Sequence, residues 1–120
     1  MEILDHLVIN VLHDMADAAE LFSALGFLLT PLGRHSLGYI NHLMVTQDAY
    51  LELVGVPSHG KQRQEVLDSP TGLNGLVYRI EDADMPYARL NEQHLSPSEP
   101  VSFSRPVDIG GALSDAAFRR

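Results

Sequence analysis

Cysteine is absent from this 120-residue chain. Its absence excludes a disulfide framework, a thiolate metal site and a cysteine nucleophile, so any metal must take His, Asp, Glu or water as ligands. Positive charge is also scarce: eight Lys and Arg stand against 16 Asp and Glu, for a net charge of -8 spread along the chain. Phosphate-backbone binding needs a gathered basic surface, which argues against a nucleic-acid partner. No apolar run approaches the ~20 residues that span a bilayer. Met1 to Val11 holds Glu2, Asp5 and His6 with no basic head, unlike a secretory leader. A cytoplasmic protein without membrane contact is expected. The length fits one domain, 1–120, that buries roughly two-thirds of its unfolded surface.

What is present reads as α+β. "ILDHLVINV" (Ile3 to Val11) alternates as a strand, with Ile3, Asp5, Leu7, Ile9 and Val11 on one face and Leu4, His6, Val8 and Asn10 on the other. Asp14 is placed as an N-cap before Met15, Ala18, Ala19, Phe22 and Leu25 at helical spacing, and Gly26 stands where a left-handed cap belongs. "FLLTPLGRH" is a short or edge strand broken by Pro31 and Gly33. "GYINHLMVTQ" and "YLELVGV" are strands joined by a hairpin turn at "TQDA". The stretch 58–71 is polar and reads as a linker with one helical turn at "RQEVL". The pattern then restarts: a strand at "GLVYRI", a helix at "EDADMPYARLNEQHL" with Asp84 as N-cap, a strand at "PVSFSRPV" and the start of another at "SDAAFRR".

Two residues break the apolar logic of their strands, His6 in "LDHLVINV" and Glu52 in "AYLELVG". Tyr50 shares the parity of Glu52, and Asn10 that of His6. Arg34 and His35 lie at a turn that can offer a guanidinium and an imidazole to a ligand, and Phe103 can form an apolar wall. Each has a plainer role open to it: a solvated turn for Arg34 and His35, core packing for Tyr50 and Phe103, and a hydrogen-bonded, half-buried position for His42. Ser36 beside His35 lacks a nucleophile-elbow glycine pattern. The glycines form neither phosphate-cradling spacing.

The order "LDHLVINV", "LFSALGF", "PLGRHSLGYINHLMV", "AYLELVGVP" and "GLVYRIEDAD" resembles the vicinal oxygen chelate superfamily, and most of all its glyoxalase-like branch. Relatives there include glyoxalases, extradiol dioxygenases and bleomycin-binding proteins. The resemblance implies paired βαβββ modules forming a half-open barrel, module one at 1–57, a linker at 58–71 and an incomplete module two at 72–120. It implies a further strand beyond Arg120, and so a shortened chain or an incomplete gene product.

It also implies metal ligands at His6 and Glu52 for Zn, Ni, Fe or Mn, with Glu52 doubling as the catalytic proton carrier. The third ligand position aligns with Gly75, which cannot ligate. The implied function is a metal-dependent lyase, isomerase or dioxygenase acting on a small oxygenated substrate. The alternatives left open are a non-catalytic module that sequesters a small molecule, with His6 and Glu52 lining a polar cavity that holds no ion, and an inactive remnant. A homodimer is expected, because two first modules would bring four ligands to a shared site.

Overall fold

β1 runs from Ile3 to Leu12, with Ile9 and Val11 half-buried against the core that its alternation predicts. The computed structural model describes residues 3–109 and 111–119, with 105–109 and 113–119 described by backbone alone. After β1 come α1 (Met15–Ala24), β2 (Gly33–His35), β3 (Tyr39–Val45) and β4 (Tyr50–Gly55). α2 (Gln64–Asp68) is the helical turn expected in the linker. β5 (Gly72–Arg79), α3 (Asp84–Glu92), β6 (Ser102–Ile109) and β7 (Ala112–Arg119) complete the α+β order.

A five-stranded sheet has the order β2-β3-β4-β1-β5, in which β1 pairs parallel with β4 and antiparallel with β5. β6 and β7 form a separate hairpin. The hairpin is tied to β2 at one corner, where the Ser36 N–H donates to the Ser104 carbonyl at 3.1 Å and the Ser104 N–H to Ser36 Oγ at 3.2 Å.

α1 lies on the sheet face opposite His6. Met15, Ala18 and Phe22 recur at i, i+3 and i+7, so they share a stripe, and that stripe packs on Ile40, Met44 and Leu53. Leu53 is fully buried. Burying such side chains is worth about 1.5–3 kcal/mol each. The helix ends as the sequence predicts: Gly26, at φ +98°, lets its N–H reach Ser23 O and the next N–H, on Phe27, reach Phe22 O. Phe22 and Phe27 then meet edge to face at 5.7 Å.

Three local expectations differ. Asp14 holds the cap position but makes no side-chain cap bond; its carbonyl receives the Ala18 N–H instead. Asp84 is the first residue of α3 rather than its cap, and its N–H is bound by Asp82 Oδ1 at 2.9 Å. β5 starts three residues earlier than "GLVYRI", at Gly72. Among the described residues no helix is long and apolar enough to cross a membrane.

Candidate active site

The face of β1 and β4 turned away from α1 carries His6 and Glu52. His6 pairs with Tyr50 and Val8 with Glu52, so the two side chains are diagonal neighbours on one face. His6 Nε2 lies 3.2 Å from Glu52 Oε1, and Asn41 Nδ2 donates to Glu52 Oε2 at 2.6 Å. All three residues are buried. On its other nitrogen, His6 Nδ1 meets Asp5 Oδ2 at 2.8 Å. Arg79 Nε in turn donates to Asp5 Oδ1 at 3.2 Å.

Asp5 was expected on the opposite face from His6. The pairing of β1 with β5 slips between Leu4 and His6, where Leu4 faces Tyr78 and His6 faces Val77. Asp5 is the extra residue of that bulge, and a bulge breaks the two-residue alternation on which the expectation rested.

Opposite charges set the protonation of this group. Burial pushes the His6 imidazole down, but hydrogen bonds to Glu52 and Asp5 outweigh it and its pKa is raised above the ordinary 6.5. Burial pushes Glu52 up, and the His6 and Asn41 hydrogen bonds reverse this, leaving it below 4.5. Asp5 is lowered, first by its hydrogen bond from His6. All three shifts favour the charged forms, an imidazolium between two carboxylates, relative to the same side chains free in water.

Above this floor is a cavity of about 450 Å³. Tyr50 stacks on His6 at 4.3 Å between centroids, and burial, with the Glu52 and Asp5 charges beside it, pushes its phenol well up. His35 stacks on Tyr39 at 4.1 Å, with Phe103 at 6.1 Å from His35. His35, Tyr39, Tyr50, Tyr78 and Phe103 all line the cavity.

The structure therefore brings His6, Glu52, Tyr50, His35 and Phe103 together. Arg34 is exposed on β2 between buried Gly33 and His35 and lines neither this cavity nor the smaller one beside it. Asn10 lines the smaller cavity, where its amide is engaged: Nδ2 donates to Val66 O and Ser69 O, and Oδ1 accepts from the Leu12 N–H. It ties the linker to β1. His42, read as a satisfied histidine, lies 2.6 Å by Nδ1 from Thr30 O.

Sequence reading missed Asp5, Asn41, Tyr39 and Tyr78. Asn41 and Tyr39 share a strand face with Leu43, so a polar residue on an otherwise apolar face was the available signal for Asn41. Asp5 carried no such signal, because the bulge is set by pairing with a strand some 70 residues away.

The donor set accommodates part of a metal shell. Zinc-type donors sit about 2.0–2.2 Å from the ion, so two of them on one ion lie roughly 3.3 Å apart. The His6 Nε2 to Glu52 Oε1 separation of 3.2 Å fits, and Asp5 on Nδ1 is the partner a ligating histidine uses to hold its ring. The residue of β5 opposite His6 is Val77, and Gly75 lies opposite Val8, so β5 offers no donor there. Among the described residues no cluster of three or more His, Cys, Asp or Glu is arranged to hold an ion.

The order β1-α1-β2-β3-β4 is the βαβββ order that the sequence resemblance implies for the first half of the chain. The family model of the glyoxalase-like domain matches residues 4–119, so this chain belongs to that family, within the vicinal oxygen chelate superfamily. Searches of curated proteins and of solved structures each returned no match.

Proposed function

We propose that the larger cavity binds a small oxygenated molecule over the His6–Glu52 pair and that Glu52 moves a proton on it. The observation that carries this reading is the continuous line from Asp5 through His6 to Glu52 and Asn41, buried beneath an aromatic-walled cavity. Ionised Glu52 accepts a proton from a carbon or hydroxyl beside a carbonyl, and the His6 imidazolium stabilises the negative charge left on the neighbouring oxygen. Tyr50 holds the imidazole flat by stacking, and Asn41 fixes the carboxylate plane. A divalent ion of the Zn, Ni, Fe or Mn type would take the place of the proton on His6 Nε2, would be held by that nitrogen and Glu52 Oε1, and would polarise the oxygens of the substrate in place of the imidazolium.

On this reading β1 to β4 with α1 are one βαβββ module, and β5 to β7 with α3 belong to a second. The two curve around the cavity as a half-open barrel, supported by the Ser36–Ser104 tie between β2 and β6. The working unit is a homodimer in a reducing, cytoplasmic setting. Leu73, Leu76 and Tyr78 of β5 are each about half exposed or more, and β5 pairs with β1 alone among the described strands.

A second reading, sequestration without chemistry, is favoured by the aromatic walls and by Val77 and Gly75 standing where a further ligand would come from. One experiment separates the two: metal content per chain after chelator stripping and reloading, in the wild-type chain and in His6→Ala. Stoichiometric metal that disappears in the variant supports the enzyme. No metal in either, with small-molecule binding retained in both, supports sequestration.

A further inference from the structure

A second cavity, of about 290 Å³, shares Tyr39, Glu52 and Val77 with the first and extends to the linker. Arg63 forms part of its wall. The Arg63 side chain is 13% exposed, and its guanidinium carbon lies 5.9 Å from the Tyr39 ring centroid. Its Nε donates to Glu65 Oε2 at 3.0 Å, and Nη2 bonds the same oxygen. Nη1 is buried and has no hydrogen-bond partner among the described residues.

This is an unusual state for an arginine. Its five N–H groups form a planar fork that matches a carboxylate, and a buried charged donor without an acceptor is costly. Glu65 engages only one edge of the fork, from a side chain that is 68% exposed and two residues away. Such a contact is weakly held and readily exchanged.

The backbone beneath Arg63 is, by contrast, firmly placed. Its N–H donates to Gly38 O at 2.8 Å. A Cβ on Gly38 would come within 2.9 Å of Lys61 O, so glycine there allows the linker to lie directly on the turn between β2 and β3. The backbone that carries the guanidinium is thus fixed to the β2–β3 turn, while the Glu65 side chain that pairs with it is mostly exposed.

We infer that Arg63 anchors a carboxylate of the molecule this cavity takes, and that Glu65 occupies the fork until that molecule enters. The ligand class is therefore a small carboxylate whose uncharged body reaches across Glu52 into the aromatic chamber. The inference rests on the small-molecule reading of the cavity and adds the charge of the ligand.

The test compares naphthalene-2-carboxylate with its neutral isostere naphthalene-2-carboxamide, read by naphthalene fluorescence, which no tryptophan in this chain obscures. The wild-type chain is expected to prefer the carboxylate by roughly tenfold, the usual scale for a charge-assisted pair. Arg63→Met should abolish that preference and leave carboxamide binding intact, which also shows that the variant is folded. Glu65→Gln, which keeps Arg63, should tighten the carboxylate alone. Equal binding of the two probes to the wild-type chain, or a preference that survives Arg63→Met, overturns the role of Arg63 and leaves the small-molecule reading standing. Binding of neither probe overturns both.

Discussion

His6 and Glu52 meet side chain to side chain at 3.2 Å although neither is the other's backbone partner: the register sets His6 beside Tyr50 and Glu52 beside Val8. A parallel pair offset by two residues aims both groups at one point above the sheet. That point is the floor of the larger cavity, and its charge state governs several measurable properties.

Stability should depend on pH from both sides. Glu52 has a folded pKa below its ordinary 4.5, so its contribution is present above that value and lost as pH falls through the folded one. His6 has a folded pKa above 6.5, so its contribution is full below 6.5 and lost as pH rises through the raised value. A melting-temperature profile should therefore be highest between these limits. His6→Gln should flatten the alkaline limb and Glu52→Gln the acidic one, and identical profiles for His6→Gln and wild type would refute the pairing.

Asn41→Ala removes the donor from Glu52 Oε2 in a buried setting. The expected loss is about 1–3 kcal/mol of unfolding free energy, since the carboxylate oxygen is left without that partner. Urea denaturation measures it directly. The acid limb of the pH profile should move to higher pH in the same variant, because one of the bonds that lowers Glu52 is gone.

Leu53 is fully buried against Met15, Ile40 and Met44, whereas Leu28 is 90% exposed. Truncating Leu53 to Ala should cost about 2–5 kcal/mol, for lost transfer energy plus the cavity left behind. Leu28→Ala should stay within about 0.5 kcal/mol of wild type. Comparable losses for the two would show that the core has been misplaced.

Gly38→Ala joins backbone strain to a steric clash. The residue sits at φ +91°, where a side chain costs about 1–2 kcal/mol. The added Cβ would press on Lys61, so the linker must shift and take Arg63 with it. Both a lower denaturation midpoint and a weaker preference for naphthalene-2-carboxylate are expected, whereas Gly60→Ala, with open space around it, should show only the first.

Much of the fold was legible because β1, β3 and β4 are strand-like apolar runs separated by turn signals and α1 carries both an apolar stripe and a glycine stop. His6 and Glu52 were legible singly, as polar residues in apolar strands, and the family resemblance placed them at one site; their direct contact at 3.2 Å is seen in the structure. Asp5 was not legible, since its position follows from a bulge made against β5. For Arg34 and His35 the sequence left a ligand role and a solvated turn both open, because "GRH" reads as a turn; as strand β2 it alternates, with Arg34 exposed and His35 buried. Arg63 went unnoticed in a polar linker, where nothing local marks a side chain that tertiary contacts will bury.

β1 is flanked on one side by β4 and on the other by β5, which ends at Arg79. Of the five strands of this sheet it precedes the others in the chain and gains its second neighbour last. A parallel partner cannot be reached by a tight turn, and contacts between such distant segments slow folding. At ordinary synthesis rates of about 5–20 residues per second, β1 leaves the ribosome with both edges bare and waits seconds for its neighbours. The stretch that carries Asp5 and His6 is therefore the part of this sheet that waits longest for the neighbours between which it ends.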